Sequence, residues 1–288
     1  MNAESMRYSC MTRYVRLAEL LAGAEGAALF RHLLDCDDAF VARRLEGLRR
    51  QLDALDDPKA LGVDVPELDV DRGYDVWASS YDAIDNALIR AEEPLVQEAI
   101  AGLPAGPALD AACGTGRQAA QLVAAGHTVI GVDRSVAMLA LAKQKVPEAD
   151  FRLGDLSALP LDDASVDIAV CSLALTHLAD PTPAIVELAR VVRPGGRVVV
   201  SDAHPTFVLI QGQALFPVDR AFAFVRNHVH LHSTYLRAFA TCGLRPLSCD
   251  EPPMQVDWSK GLFAGAAEAA GALWSGIPVA LVWTLAHP

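Results

Sequence analysis

Short apolar runs that alternate with helical segments from about residue 74 onward constrain the fold of this chain most strongly. The candidate strands are 107–112, 127–132, 150–154, 166–171 and 197–202. The candidate helices between them are 116–125, 135–145 and 181–192. Strands alternating with helices are typical of a parallel, doubly wound α/β sheet. Ligands of such sheets bind at the carboxyl ends of the strands, so polar residues there are the first functional candidates.

Three segments depart from that alternation. Residues 11–56 carry apolar residues at helical spacing and predict helices, whereas residues 57–73 lose the period, gain Pro and Asp, and predict a linker. The predicted domains are therefore an N-terminal helical extension with its linker, 1–73, and an α/β domain, 74–288. Two strand-like runs at the end of the chain predict an antiparallel closing pair.

A glycine loop after the first strand predicts a cofactor site. The stretch ALDAACGTGRQAA (108–120) is an apolar run followed by Asp110, the glycines Gly114 and Gly116, and helix formers. Its spacing also fits the dinucleotide-binding fingerprint, so the loop alone leaves the cofactor open. Asp133, at the end of the second strand, suits the ribose hydroxyls of either NAD or S-adenosylmethionine.

Two further carboxylates favour a cationic ligand. Asp110 directly precedes the loop, where it would repel a pyrophosphate but would suit the cationic amino group of a methionine moiety. Asp155 follows the third strand and can accept a hydrogen bond from an adenine amino group. These residues predict an adenosyl sulfonium ligand and count against the less favoured alternative, an NAD(P)-dependent oxidoreductase.

Five segments, in order, resemble the class I S-adenosylmethionine-dependent methyltransferases, in particular the small-molecule branch similar to ubiquinone and menaquinone biosynthesis methyltransferases. They are YDVWASSYD (74–82), LDAACGTGR (109–117), GVDRSVAMLALAK (131–143), GDLSALPLDDASVDIAVCS (154–172) and ARVVRPGGRVVVSD (189–202). The resemblance implies a Rossmann-like, doubly wound, seven-stranded sheet with an antiparallel final strand, N-terminal helices and a cap insertion at 203–232. One departure is Ala112, where the family commonly carries a glycine.

The implied activity is methyl transfer from S-adenosyl-L-methionine to a small hydrophobic or aromatic acceptor, such as a quinone-like compound or a natural product. The alternative is a protein of this fold that binds the cofactor but catalyses another reaction or serves as a binding subunit. The implied cofactor contacts are Tyr74, Trp77, Tyr81, Asp110, Ala112, Gly114, Gly116, Arg117, Asp133, Arg134, Met138, Asp155, Leu156 and Cys171.

Histidines are the candidate bases, which a hydroxyl or carbon-acid acceptor would require. We place His177, His204 and His232 in this role. His228, His230 and His232 alternate and would share one face of an extended segment, so a metal site formed by them with His204 is an alternative. We nevertheless expect no metal, because this segment resembles the family's stretch before the sixth strand, where Ser233 would cap a helix.

Charge and cysteine usage limit the partners. The net charge of −12 argues against nucleic acid, and the apolar cap segment favours a small-molecule acceptor. The six cysteines are scattered without a C-x-x-C pair, which predicts reduced thiols and a cytoplasmic location. We expect neither a signal peptide nor a membrane span. The N-terminal helices could supply a second wall of the site or a homodimer contact.

Overall fold

The computed structural model describes residues 12–57, 61–210, 212–218 and 221–288. The strands are β1 Thr12–Val15, β2 Val63–Leu68, β3 Pro107–Ala111, β4 Thr128–Asp133, β5 Asp150–Leu153, β6 Val166–Ser172, β7 Val192–Ala203, β8 Ala214–Val218, β9 Ala221–Val225, β10 Arg245–Asp250 and β11 Ala280–Ala286. The helices are α1 Leu17–Arg31, α2 Asp38–Asp56, α3 Val70–Trp77, α4 Ala87–Ile100, α5 Arg117–Ala124, α6 Val136–Lys145, α7 Thr182–Val191, α8 Pro205–Leu209, α9 His232–Thr241 and α10 Ala267–Trp274. Short 3₁₀ turns span Ala78–Ala83, Leu175–His177 and Gly261–Ala266.

The larger of two compact units comprises residues 69–214, 225–252 and 278–288. Its described residues form a seven-stranded sheet of order β10-β11-β7-β6-β3-β4-β5. The neighbours from β7 to β5 are parallel, whereas β11 pairs antiparallel with both β7 and β10. The predicted doubly wound sheet with an antiparallel final strand is confirmed.

The central strands are buried on both faces, which explains their continuous apolar runs. Leu109 and Cys171 pack on the side of Leu188, whereas Ile168 and Val170 pack on the opposite side. Successive strand residues point to opposite faces, so each strand contributes to two separate cores. This packing holds the carboxyl ends of the parallel strands at one edge.

The smaller unit combines the described part of residues 1–68 with residues 215–224 and 253–277. Its described strands form a sheet of order β1-β2-β9-β8, and α1 packs against α2 and α10. The buried Arg44 guanidinium lies between carboxylates of Glu25, at 3.2 Å, and Glu268, at 2.8 Å. Pairing each charge in this way lowers the cost of its burial.

The N-terminal region differs from the sequence-based prediction in two respects. Residues 12–15, predicted as helical, form β1, which pairs antiparallel with β2 inside the predicted linker. The smaller unit also recruits residues 215–224, from the predicted cap, and residues 253–277. Hydrogen bonds between strands distant in sequence produce this arrangement, and local periodicity carries no information about them.

Two other expectations concern thiols and membrane spans. The described cysteines Cys36, Cys113, Cys171, Cys242 and Cys249 are free thiols, and Cys10 lies outside the described residues. None of the helices in the described ranges is long and apolar enough to cross a bilayer.

Candidate active site

A cavity opens at the carboxyl ends of β3, β4 and β6 in the larger unit. It lies at the edge where a doubly wound sheet binds its ligands. The lining residues are Val70, Tyr74, Tyr81, Ala112, Gly114, Val132, Asp133, Arg134, Gly154, Asp155, Leu156, Ser172, Leu173, Ala174, His177 and Leu178.

The glycine loop forms one wall of this cavity. Gly114 and Gly116 have φ angles of +52° and +81°, and the Gly114 N–H donates to Asp133 Oδ2 at 2.8 Å. Two non-glycine residues of the wall, Ala112 at φ +56° and Leu173 at φ +54°, also adopt the left-handed conformation. That conformation costs about 1–2 kcal/mol per L-residue and is concentrated at functional sites. The strained backbone therefore supports a functional role for this wall.

Asp133 and Asp155 reach the cavity with their carboxylates held by backbone donors. Asp133 Oδ1 accepts from Ser135 N at 2.8 Å, and burial raises the pKa of Asp133 despite its backbone hydrogen bonds. Asp155 Oδ1 accepts from the Ser157 hydroxyl at 2.5 Å and amide at 2.8 Å, and these bonds lower its pKa. The structure thus brings both predicted carboxylates to the cavity in defined orientations.

Asp110, predicted to contact the cofactor directly, does not line this cavity. Its Oδ2 accepts from Ala119 N at 2.7 Å, so the carboxyl holds the first turn of α5. Burial raises the pKa of Asp110 to about 7, so its negative charge at neutral pH is only partial. The sequence pattern located Asp110 at the strand end, but it could not show that the side chain turns toward the helix.

Five other predicted cofactor contacts, Trp77, Gly116, Arg117, Met138 and Cys171, are also absent from the cavity lining. Trp77, Met138 and Cys171 are buried in the core, and burial raises the pKa of the Cys171 thiol well above its usual value. The Arg117 guanidinium pairs with the buried carboxylate of Glu92 at 2.6 Å. The side chains of Trp77, Met138, Cys171 and Arg117 contact other protein groups, and they stabilise the loop and strands that form the cavity wall.

Tyr74 and His177 form a hydrogen-bonded pair in the lining of the cavity. Tyr74 Oη lies 2.7 Å from His177 Nε2, and His177 Nδ1 lies 3.0 Å from the Arg226 carbonyl oxygen. A carbonyl only accepts, so Nδ1 carries the proton and Nε2 accepts from the Tyr74 hydroxyl. Burial lowers the pKa of His177 to about 4 and raises that of Tyr74 well above 10. At neutral pH the pair is therefore an uncharged imidazole and a phenol.

His230 fixes the turn that carries His177. Its Nε2 lies 2.9 Å from the Leu178 carbonyl oxygen and 3.2 Å from that of Leu175. The His228 N–H donates to the Thr176 carbonyl at 2.6 Å. These two histidines are therefore engaged with the backbone of the turn.

The other two candidate bases, His204 and His232, do not line the cavity. Their Nε2 atoms lie 2.9 and 3.0 Å from the same oxygen, Oε1 of Glu251. Glu251 was missed because no motif connects a glutamate after β10 with histidines 47 and 19 residues earlier. Only one of the three predicted bases therefore reaches the cavity.

Three aspartates in or just before YDVWASSYD were also missed, and they attach α3 and the following turn to the loops of the sheet. Arg134 Nη2 donates to Asp71 Oδ2 at 3.0 Å, and Ser135 Oγ donates to Asp75 Oδ1 at 2.6 Å. The hydroxyl of Thr115 donates to Asp82 Oδ1 at 2.8 Å. The sequence feature that could have identified them is the set of aspartates at 71, 75 and 82, which lie close in sequence to the aromatic residues of this segment.

Residues 109–200 match a family model described as a methyltransferase domain. A demethylmenaquinone methyltransferase from Renibacterium salmoninarum is 37% identical over 139 residues, which cover 46% of this chain and 59% of that protein. The enzyme of the same name from Streptomyces avermitilis is 32% identical over 160 residues, or 51% of this chain and 69% of that protein. The chain belongs to the S-adenosylmethionine-dependent methyltransferases.

The present chain shares its fold with a solved S-adenosylmethionine-dependent methyltransferase from Mesorhizobium loti, with a TM-score of 0.52 and 23% sequence identity. The match covers 68% of this chain and 97% of that one. The predicted resemblance is confirmed, and the family's cofactor is S-adenosyl-L-methionine. The chain spans less than two thirds of the Renibacterium protein's length.

Proposed function

We propose that this chain transfers the methyl group of S-adenosyl-L-methionine to a small, apolar acceptor of quinone-like or aromatic character. The observation that carries the proposal is one cavity that combines the Gly114 loop and Asp133 with the neutral Tyr74–His177 pair. Curated relatives that match about half of this chain are named demethylmenaquinone methyltransferases, which supports the acceptor class.

The residues on the cofactor side fit an adenosyl sulfonium. Each Asp133 oxygen accepts one backbone hydrogen bond and keeps a further lone pair, which suits a ribose diol. Asp155 and Leu156 supply an acceptor and an apolar surface for the adenine. The carboxylates of Asp133 and Asp155 favour a cation over a pyrophosphate. When bound, the cofactor would supply an electrophilic methyl group.

On the acceptor side, His177 is suited to receive a proton. An acceptor hydroxyl beside Tyr74 would pass its proton to Tyr74 Oη while the Tyr74 proton moves to His177 Nε2. The backbone bond from Nδ1 to the Arg226 carbonyl keeps the Nε2 lone pair directed at Tyr74. The imidazolium formed in this way carries the positive charge that the sulfonium loses, so the net charge of the site is unchanged.

Two further proposals concern assembly and location. Phe30 and Leu34 of the smaller unit are 82% and 99% exposed, which supports a homodimer contact through the N-terminal helices. Size-exclusion chromatography with light scattering tests the homodimer. A molar mass that remains that of one chain at high protein concentration would reject it. The free described cysteines support a cytoplasmic location, which fluorescence tagging in cells would test.

Calorimetry and methyl transfer test the proposed reaction. We expect the protein to bind S-adenosylmethionine and to label a quinol or phenol from the radioactive methyl group. Tyr74→Phe and His177→Gln should lower kcat about 100-fold or more. His32→Gln, at a half-buried histidine of the smaller unit that is absent from the cavity lining, is the matched control and should keep full activity. Failure to bind the cofactor would reject the proposal, and binding without transfer across a broad acceptor panel would favour the non-methylating alternative.

A further inference from the structure

We propose that His204, His232 and Glu251 form a binding site for a divalent transition-metal ion of the Zn²⁺ type. The residues come from three separate segments of the larger unit: the β7–α8 junction, the start of α9 and the position after β10. One ligand atom from each residue lies within 4.8 Å of the other two. The imidazole nitrogens His204 Nε2 and His232 Nε2 lie 2.9 and 3.0 Å from Glu251 Oε1.

The donor set and its spacing suit a tetrahedral ion. Two imidazoles and one carboxylate form a recurrent zinc set that leaves the fourth position for water or another ligand. Ligands at 2.0–2.1 Å from a tetrahedral ion lie about 3.4 Å apart. Each Nε2–Oε1 separation therefore needs to widen by only a few tenths of an ångström, which side-chain rotation can provide.

The solvent access of the cluster and the limited movement of its side chains also suit an ion-binding site. The His204 side chain is only 6% exposed and is held by the protein, whereas those of His232 and Glu251 are 37% and 44% exposed. An ion can therefore reach the cluster from solvent and find one ligand already positioned. The His232 ring also packs edge-on against Trp283, with centroids 5.9 Å apart, which limits its movement.

The positions of the imidazole protons on His204 and His232 predict a specific consequence of metal binding. A carboxylate accepts, so both Nε2 atoms now carry protons directed at Glu251. The Thr206 N–H donates to His204 Nδ1 at 3.1 Å, which stabilises this tautomer. A metal needs the Nε2 lone pair, so the His204 proton must move to Nδ1 and the Thr206 hydrogen bond must break.

The neighbouring histidines belong to a different structural role. His230 contacts the backbone carbonyls of Leu175 and Leu178 through its Nε2 atom. The HVHLH alternation therefore does not define the cluster, although it contributes His232, and the proposed site departs from the sequence-based expectation of no metal. His228 lies in the same run outside the cluster, so His228→Gln is a matched control for His232→Gln.

Zinc titration of the full chain without a polyhistidine tag, after treatment with a chelator, tests the site. Calorimetry should show one equivalent of Zn²⁺ bound by the wild type and by His228→Gln. His232→Gln and Glu251→Gln, both at partly exposed positions, should bind at least tenfold more weakly. Circular dichroism confirms that these variants are folded.

Amide exchange at Thr206 supplies an independent measurement. Zn²⁺ should accelerate this exchange in the wild type and in His228→Gln, because the amide loses its acceptor on His204. Absence of saturable Zn²⁺ binding by the wild type would overturn the proposal, as would equal binding by the cluster variants. Unchanged Thr206 exchange with bound Zn²⁺ would also overturn it, because the ion would then not use His204 Nε2.

Discussion

Replacing Gly114 or Gly116 by alanine should separate cofactor binding from folding within a single loop. Both glycines adopt left-handed backbone, with φ angles of +52° and +81°. A Cβ at Gly114 would meet no atom within 4 Å, and Gly114 lines the cavity. A Cβ at Gly116 would lie 3.3 Å from Ala142 Cβ, 3.4 Å from Ala142 Cα and 3.4 Å from Phe151 Cζ. The two variants therefore share the backbone strain but differ in packing.

The expected free energies follow from these contacts. Left-handed backbone costs an alanine about 1–2 kcal/mol, and the lower entropy of the unfolded chain offsets about 0.4–1 kcal/mol of this cost. Gly114→Ala should therefore lower the free energy of unfolding by about 1 kcal/mol. Gly116→Ala adds an overpacking cost of about 2 kcal/mol, because the α6 backbone at Ala142 cannot rotate away.

Urea denaturation measures the two stabilities, and calorimetry with S-adenosylmethionine measures the affinity. Gly116→Ala should be less stable than Gly114→Ala by about 2 kcal/mol. Gly114→Ala should bind the cofactor at least tenfold more weakly, since its methyl group would project into the cavity. Equal stability losses would refute the packing argument. Unchanged cofactor affinity in Gly114→Ala would refute the assignment of this loop to the cofactor.

Three other substitutions test strain and titration. Ala112→Gly should raise the free energy of unfolding by up to about 1 kcal/mol by relieving the φ of +56°, and a lower urea midpoint would contradict this. In the wild type, the native His177 stays neutral down to about pH 4 while the unfolded chain gains a proton near pH 6.5, so stability is lost as pH falls through this range. Between pH 7.5 and pH 4, the free energy of unfolding of His177→Gln should fall by about 3 kcal/mol less than that of the wild type. Urea denaturation measures this, and a pH profile identical to that of the wild type would contradict the buried neutral imidazole. Burial raises the pKa of Asp202 to about 7, so the contribution of this carboxyl to stability falls as pH rises from 4 to 7, opposite in sign to that of His177. In Asp202→Asn the amide oxygen can still accept from the Tyr235 hydroxyl. The free energy of unfolding of this variant, relative to the wild type, should be higher at pH 8 than at pH 5. The same difference at both pH values would refute the raised pKa of Asp202.

The α/β class, the order of the strands and helices around the glycine loop, and the family were predictable from the amino-acid sequence. The strands predicted at 107–112 and 127–132 are β3 and β4, and the helix predicted at 135–145 is α6. These elements were predictable because apolar periodicity, glycines and caps act within windows of about 5 to 15 residues. The positions of Asp133 and His177 beside the cavity were predictable for the same reason, since Asp133 ends β4 and His177 follows β6.

Which of those residues face the cavity, and which residues distant in sequence meet, depends on the tertiary fold. Asp110 turns toward α5, β1 pairs with β2 to form part of a second sheet, and Glu251 joins two histidines remote in sequence. Each outcome depends on the direction of a side chain or on a contact between segments far apart along the chain. Such contacts are selected by burial and hydrogen bonding in the complete fold, and no local window of sequence contains both partners.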